Sequence, residues 1–238
     1  MRKIKASNSY LKNQTRKNLA KAALWVLIFV AGLSAIMFRM IWNLKIDTID
    51  LLGVGFLFLP VVAAYYYIRK YHLYSGGWKG EKMVSSTLNH TLNDDYYLVN
   101  DLYLKEGGGD IDHVVLAPNG VFVLETKNWS GSITVNGDEW RRGGRRNSNI
   151  SPSSQVKRNV TKVRRIIENS PELRALGVWV EGIVVLTNKH AVVRFNSATV
   201  PILKLSQLTT YIQTHGGQRR FTSQQLEQIG KEIAKQKA

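Results

Sequence analysis

Two long uncharged runs govern what this chain can become. Residues 22 to 38 read AALWVLIFVAGLSAIMF and residues 51 to 68 read LLGVGFLFLPVVAAYYYI, without one Asp, Glu, Lys or Arg. With a few flanking residues, each reaches the roughly 20 residues a helix needs to cross a bilayer core. A cleaved signal peptide fits the first run poorly, because the apolar stretch is long and Arg39 follows directly in MFRMIW. A soluble core helix fits the second poorly, because Pro60 costs it a backbone hydrogen bond that neighbouring membrane helices can re-satisfy. Trp25, Trp42 and Tyr65 to Tyr67 stand towards the ends of the runs, where aromatic rings favour the interface.

The flanks predict orientation. Arg2, Lys3, Lys5, Lys12, Arg16, Lys17 and Lys21 precede the first run, and Arg69, Lys70 and Lys79 follow the second. Between the runs Lys45 is set against Asp47 and Asp50. Positive flanks stay inside, so both termini are expected in the cytoplasm, the protein crossing an inner or plasma membrane twice. The expected organisation is a basic tail over residues 1–21, a transmembrane hairpin over 22–70 and a cytoplasmic domain over 71–238. The absence of cysteine suits a reducing compartment, and it excludes thiolate zinc sites and cysteine nucleophiles. The net charge of +16 is shared between the tail, where anionic lipid is a sufficient partner, and the domain, where it is compatible with nucleic acid.

In the domain, SGGWKGEKMVSSTLNHTL predicts a glycine-containing turn and then a helix with Met83, Val84, Leu88 and Leu92 on one face. Strands follow in YYLVNDLYL, DIDHVVLA and VFVLETK, joined by the turns KEGGG and PNG, so the segments from 96, 110 and 121 are expected to form a meander. GSITVNGDEW supplies a fourth strand, and RRGGRRNSNISPSSQ reads as a basic loop. A helix from about Gln155 to Asn169 aligns Val156, Val160, Val163 and Ile167, with Lys157, Arg158, Lys162, Arg164 and Arg165 around them. GVWVEGIVVLTN reads as a buried strand and residues 222–236 as a closing amphipathic helix. This order predicts an α/β sandwich around one mixed sheet.

Side chains alternate along VFVLETK, so Glu125 and Lys127 share a face and Thr126 takes the other. Asp112 on the adjacent hairpin strand can join them. Two carboxylates held that close call for a cation, and Mg²⁺ accepts one or two carboxylates while keeping waters for chemistry. A neighbouring lysine orients or deprotonates the attacking water and offsets charge on a phosphate. The competing reading is an ordinary cross-strand salt bridge.

The stretches GWKGE, YYLVNDLYL, DIDHVVL, GVFVLETKNWSGSI, the tryptophan of GDEW and SPSSQ together resemble the nuclease-related domain, NERD, a branch of the PD-(D/E)xK nuclease-like fold. The resemblance runs from about Gly77 to Gln155 and is most specific in ETKNWSG. It implies a restriction-endonuclease-like mixed β-sheet flanked by helices, Mg²⁺ or Mn²⁺ held by Asp112 and Glu125, catalysis assisted by Lys127, and supporting roles for Glu81 and Gln155. Relatives often show Asn-Pro-x-x-Gln where this chain has Ser151, Pro152, Ser153, Ser154 and Gln155. Read from the residues alone, Glu81 equally suits the positive end of a helix, and Gln155 a polar helix start. His113 alternates away from Asp112, and Trp129 is open to core packing or to stacking on a base. Arg141, Arg142, Arg145, Arg146, Lys157, Arg158, Lys162 and Arg165 are the candidates for nucleic-acid backbone contact, their alternative being a solvated or lipid-facing surface. The expectation is a membrane-anchored, metal-dependent nuclease acting on DNA, with RNA as another substrate and a non-catalytic nucleic-acid or membrane scaffold as the alternative.

Overall fold

The computed structural model describes residues 1–4, 10–43, 48–103, 110–143, 145–146 and 151–235. In chain order these form β1 (Arg2–Ile4), α1 (Tyr10–Asn43), α2 (Thr48–Phe56), α3 (Phe58–Thr91), β2 (Tyr97–Tyr103), β3 (Asp110–Ala117), β4 (Gly120–Lys127), β5 (Gly131–Gly137), β6 (Glu139–Arg142) and β7 (Arg145–Arg146). There follow α4 (Pro152–Asn169), α5 (Pro171–Arg174), β8 (Val180–Leu186), β9 (Ala191–Ala198), β10 (Ile202–Lys204), α6 (Leu205–Thr214) and α7 (Ser223–Lys235). The chain divides into two compact units, one taking in β1 and everything from Lys79 onward, the other the stretch from Tyr10 to Trp78.

The helical unit contains two stretches long and apolar enough to cross a membrane, Tyr10–Trp42 and one beginning at Asp50. Leu24, Leu27, Phe38, Ile41, Phe58 and Val62 expose their apolar side chains, whereas Ala22 and Ala64 are buried between the helices. Small residues bring the backbones together: a Cβ on Gly32 would stand 2.8 Å from Leu57 Cδ2, and one on Gly53 3.1 Å from Ile36 Cδ1. Arg39 Nε and Asp50 Oδ1 pair at 2.9 Å. Lys45 and Asp47 lie outside the described residues.

Two expectations for this stretch are corrected. The second apolar run is two helices, with a break at Leu57. Pro60 is the cause, since its ring clashes with the carbonyl of Phe56 four residues earlier and it has no N–H to bond there. Conversely, no turn forms at Ser75–Gly80, because α3 is continuous through Gly76, Gly77 and Gly80. A glycine costs a helix only about 1 kcal/mol, which close packing offsets. A Cβ on Gly80 would lie 3.0 Å from Thr187 Oγ1 and 3.1 Å from Asn128 Cβ, so the glycine lets this part of α3 press onto the sheet.

The second unit is built on a six-stranded mixed sheet of order β1-β2-β3-β4-β8-β10. The expected meander is present, β2, β3 and β4 being successively antiparallel; the turn expected at 105–109 lies outside the described residues. β8 joins β4 in parallel, and the intervening α4 covers the sheet through Val156, Val163 and Ile167, alongside α7 through Leu226, Ile229 and Ile233. The opposite face packs Val84, Leu88 and Leu92 of α3 and Leu208 and Ile212 of α6 against Leu98, Val115, Phe122, Leu124, Ile183 and Val185. Arg2–Ile4, read from the sequence as part of a basic tail, adds a parallel edge strand beside β2.

The single expected sheet is in fact two. β5 joins a separate four-stranded sheet of order β7-β6-β5-β9. The edge beside β4 is taken by β8, whose VEGIVVL is apolar enough to be covered on both faces, so β5 cannot add there. Gly131, at φ 84°, opens β5 beyond that edge. The anticipated basic loop begins as the β6–β7 hairpin, turned at Gly143 with φ 57°; residues 147–150 lie outside the described residues.

Candidate functional site

The site forms where the central strands part. The β3–β4 ladder is regular from Ala117↔Gly120 to His113↔Leu124. One step further, Asp112 does not pair through its backbone with Glu125, and its Oδ2 instead accepts the amide of Thr126 at 2.6 Å. β4 continues against β8 as far as Lys127↔Leu186, and Thr187 N donates to Lys127 O at 3.1 Å. On the other side of β3, the ladder to β2 skips the step between Asn100↔His113 and Leu102↔Ile111, where Asp101 faces Asp112 and takes φ 51°. Asp112 therefore sits at a gap in both ladders.

Alternation does what the sequence predicts. Glu125 and Lys127 share the face covered by α4, where Lys127 Nζ donates to Glu125 Oε1 at 2.5 Å and to Gln155 Oε1 at 3.3 Å. His113 lies on the opposite face, buried, with Nδ1 2.8 Å from Asn100 Oδ1; burial lowers its pKa to about 3 and keeps the ring neutral. Gln155 is not the helix start. Ser151 caps α4 by accepting from Ser154 N at 3.1 Å, Pro152 takes the first position, and Gln155 completes the first turn facing the lysine.

The acids of the site are perturbed by burial and by one another. Burial, reinforced by Glu125 and Glu81, raises the Asp112 carboxyl well above its ordinary value. Glu125, 1% exposed, is also raised by burial, against the pull of Lys127 and Arg158. Glu81 rises to about 8, first through burial and then through Asp101, Glu125 and Asp110. Burial works to lower Lys127, but Glu125, Asp112 and Glu81 outweigh it and hold the ammonium charged above its usual range. Glu125 Oε2 is buried without a hydrogen-bond partner among the described residues. An orphaned carboxylate oxygen beside a second crowded acid has the chemistry of a divalent-cation donor set, so Asp112 and Glu125 fit such an ion. Among the described residues, no group of three or more His, Asp or Glu is gathered closely enough to hold a metal by itself. Such a site would rest on two carboxylates and water.

The expected basic cluster divides. Burial raises both Glu125 and Asp110, and Arg158 partly offsets the first and Lys162 the second, so both cations lie on the acid-bearing side of α4. Lys157 points away and is bound to Asp138 at 2.8 Å, while Arg164 donates to Val180 O at 3.3 Å. Arg165 is exposed on α4. Arg141 pairs with Glu139 at 3.0 Å, and Arg142 donates to Ser130 O at 3.1 Å; for Arg145 and Arg146 only the backbone is described. Sequence reasoning missed Asp101 and Asp110 as members of the acid group. Their signal was a carboxylate inside each strand pattern, in YYLVNDLYL and DIDHVVL. Trp129 takes the packing option, its ring edge-on to Trp140 at 6.0 Å, and Trp140 Nε1 donates to Ser153 Oγ at 2.8 Å, fastening the second sheet to the start of α4.

Residues 76–187 match the family model described as Nuclease-related domain, NERD. This segment is a NERD domain. It runs from the last turns of α3 to the residue after β8, and so encloses every acid of the site. The mixed sheet with helices on both faces agrees with the restriction-endonuclease-like fold of the PD-(D/E)xK nucleases. An uncharacterized protein of Bacillus anthracis is 33% identical over 101 residues, a match covering 38% of this chain and 48% of that protein. The chain thus spans about half the length of the curated relative it matches. No solved structure matches it.

Proposed function

We propose that the NERD domain is a metal-dependent nuclease that hydrolyses phosphodiesters in DNA, anchored at a membrane by the apolar hairpin with the domain and both termini in the cytoplasm. The observation that carries this reading is a buried, half-unsatisfied Glu125 that raises the neighbouring Asp112 carboxyl and stands beside a charged Lys127. Asp112 and Glu125 would hold Mg²⁺ or Mn²⁺. When bound, the ion would supply positive charge to the phosphate and acidify a water. Lys127, held charged, is suited to donating a hydrogen bond to the attacking water or to a phosphate oxygen; it is not poised to take a proton. Gln155 supports its position by accepting a hydrogen bond from the ammonium, and Glu81, neutral up to about pH 8, can share a proton with the neighbouring acids.

The alternative is a nucleic-acid-binding or membrane scaffold with the same fold and no useful turnover. It is favoured by the 2.5 Å contact that clamps Lys127 onto Glu125 and by the lack of a third acid close enough to ligate among the described residues. The full chain in detergent, incubated with single- and double-stranded DNA and with RNA in Mg²⁺, Mn²⁺ or EDTA, separates the two. Metal-dependent cutting of DNA that disappears in Lys127→Ala supports the nuclease. Folded protein that cuts nothing in either metal refutes it.

A further inference from the structure

The second sheet sorts the arginines of the sequence in a way their spacing did not reveal. Across it, Arg146 pairs with Arg141, Arg141 with Thr134, and Thr134 with Arg194. Residues directly opposite one another in neighbouring strands belong to the same face, so these four positions form one row across β7, β6, β5 and β9. The next row, Arg145, Arg142, Ile133 and Val193, belongs to the other face, where Ile133, Val135 and Trp140 are buried in the core. The face of the first row is therefore the outer one. Arg141 and Arg194 are both exposed there. On the same face Thr134, Asn136, Glu139, Arg141 and Asn196 line a shallow polar concavity of about 250 Å³.

We infer that this outer face, with Arg194 as its distal cation, is a docking surface for the phosphate backbone of duplex DNA. The inference deepens the nuclease reading and rests on it for the identity of the polymer. Four strands at about 4.8 Å spacing make the row about 14 Å long. Duplex DNA carries one charge per roughly 1.7 Å of axis, so a row of that length faces several phosphates at once. Arg141, paired with Glu139, and Arg194 stand on this face with the hydroxyl of Thr134 and the amides of Asn136 and Asn196 around them, which suits a polyanion, and the planar guanidinium binds phosphate through two hydrogen bonds. Thr134 is seven residues beyond Lys127, so this face begins within about 24 Å of the acids. The bulge in the β5–β9 pairing falls after Val135, which leaves the row itself regular.

The test measures DNA affinity by fluorescence anisotropy over a series of salt concentrations. It uses the full chain in detergent, carrying Lys127→Ala and with EDTA present, so that no substrate is consumed. Each phosphate contact contributes about 0.9 to the slope of log K against log salt, so adding Arg194→Ala should flatten the slope by about one and weaken binding about three- to tenfold at low salt. Arg194→Lys should restore most of the slope, and Arg194→Glu should flatten it further. Lys231→Ala, the same charge change on α7 where Lys231 pairs with Glu227, should leave it unmoved. A slope and affinity unchanged by Arg194→Ala, or changed equally by Lys231→Ala, would overturn the inference. Cleavage by the parent chain is scored separately: a protein that does not cut but loses slope with Arg194→Ala keeps the surface and loses the nuclease.

Discussion

Glu81→Gln should stabilise the protein at alkaline pH and leave it unchanged in acid. The carboxyl of Glu81 titrates at about 8 in the folded chain against 4.5 for an ordinary glutamate. Between those values the native state keeps a proton that the unfolded state has released, so stability falls as pH rises through the window. At roughly 1.36 kcal/mol per unit, the shift sets a ceiling of about 5 kcal/mol on the loss. Asp112 and Glu125 titrate with Glu81, so one substitution recovers only part of the strain, about 2 kcal/mol. For a chain of this size that is a rise in Tm of about 4–8 °C. Glutamine keeps the shape and the neutral amide, so the comparison isolates the charge. Thermal unfolding of the full chain in detergent and EDTA, followed by tryptophan fluorescence, should show the variant and parent melting together near pH ~4.5 and the variant melting higher near pH ~9. Saturating Mn²⁺ should narrow the difference, since a cation stabilises the ionised acids. Equal melting of the two proteins at alkaline pH would show that the acids do not repel one another, and the electrostatic case for a cation would fail with it.

Asp112→Asn should abolish metal-dependent cleavage while leaving DNA affinity within about twofold, because it removes a ligand charge and no phosphate contact; gel assays of cutting and anisotropy of binding read the two separately. Gly182→Ala should cost about 1–3 kcal/mol, because the new Cβ would stand 2.8 Å from Val160 Cγ2 and 2.9 Å from Val156 Cγ2 and push α4 off β8; chemical denaturation measures it. Trp140→Phe should lower stability by about 1–3 kcal/mol through the lost bond to Ser153 Oγ, with protection from hydrogen exchange falling first in β6 and the opening turn of α4.

Much of the site was legible because its logic is local. Two-residue alternation put Glu125 and Lys127 on one face and Thr126 on the other, and the short PNG turn set β3 against β4 so that Asp112 came alongside. The apolar stripe of α4 likewise followed from helical period, and the two uncharged runs from length and composition alone. What stayed hidden depends on partners far away in the chain. Arg2–Ile4 is three residues of a basic terminus and becomes a strand only because β2, more than ninety residues later, offers an edge. β5 reads as the meander's fourth strand until β8 takes its place, after which β9, about sixty residues on, defines a second sheet and brings Arg194 into line with Arg141. Asp101 joins the acids through a skipped step in a ladder, and Arg158 and Lys162 through the docking of α4. The sequence by itself determined the strands of the β2–β4 meander, the stripe of α4, the two apolar runs, and the sharing of one face by Glu125 and Lys127, since periods of 2 and 3.6 are written residue by residue. Which edges pair, and therefore which charges are gathered and how strongly burial perturbs them, was decided only by the packed tertiary structure, because strand order and desolvation are properties of the whole core.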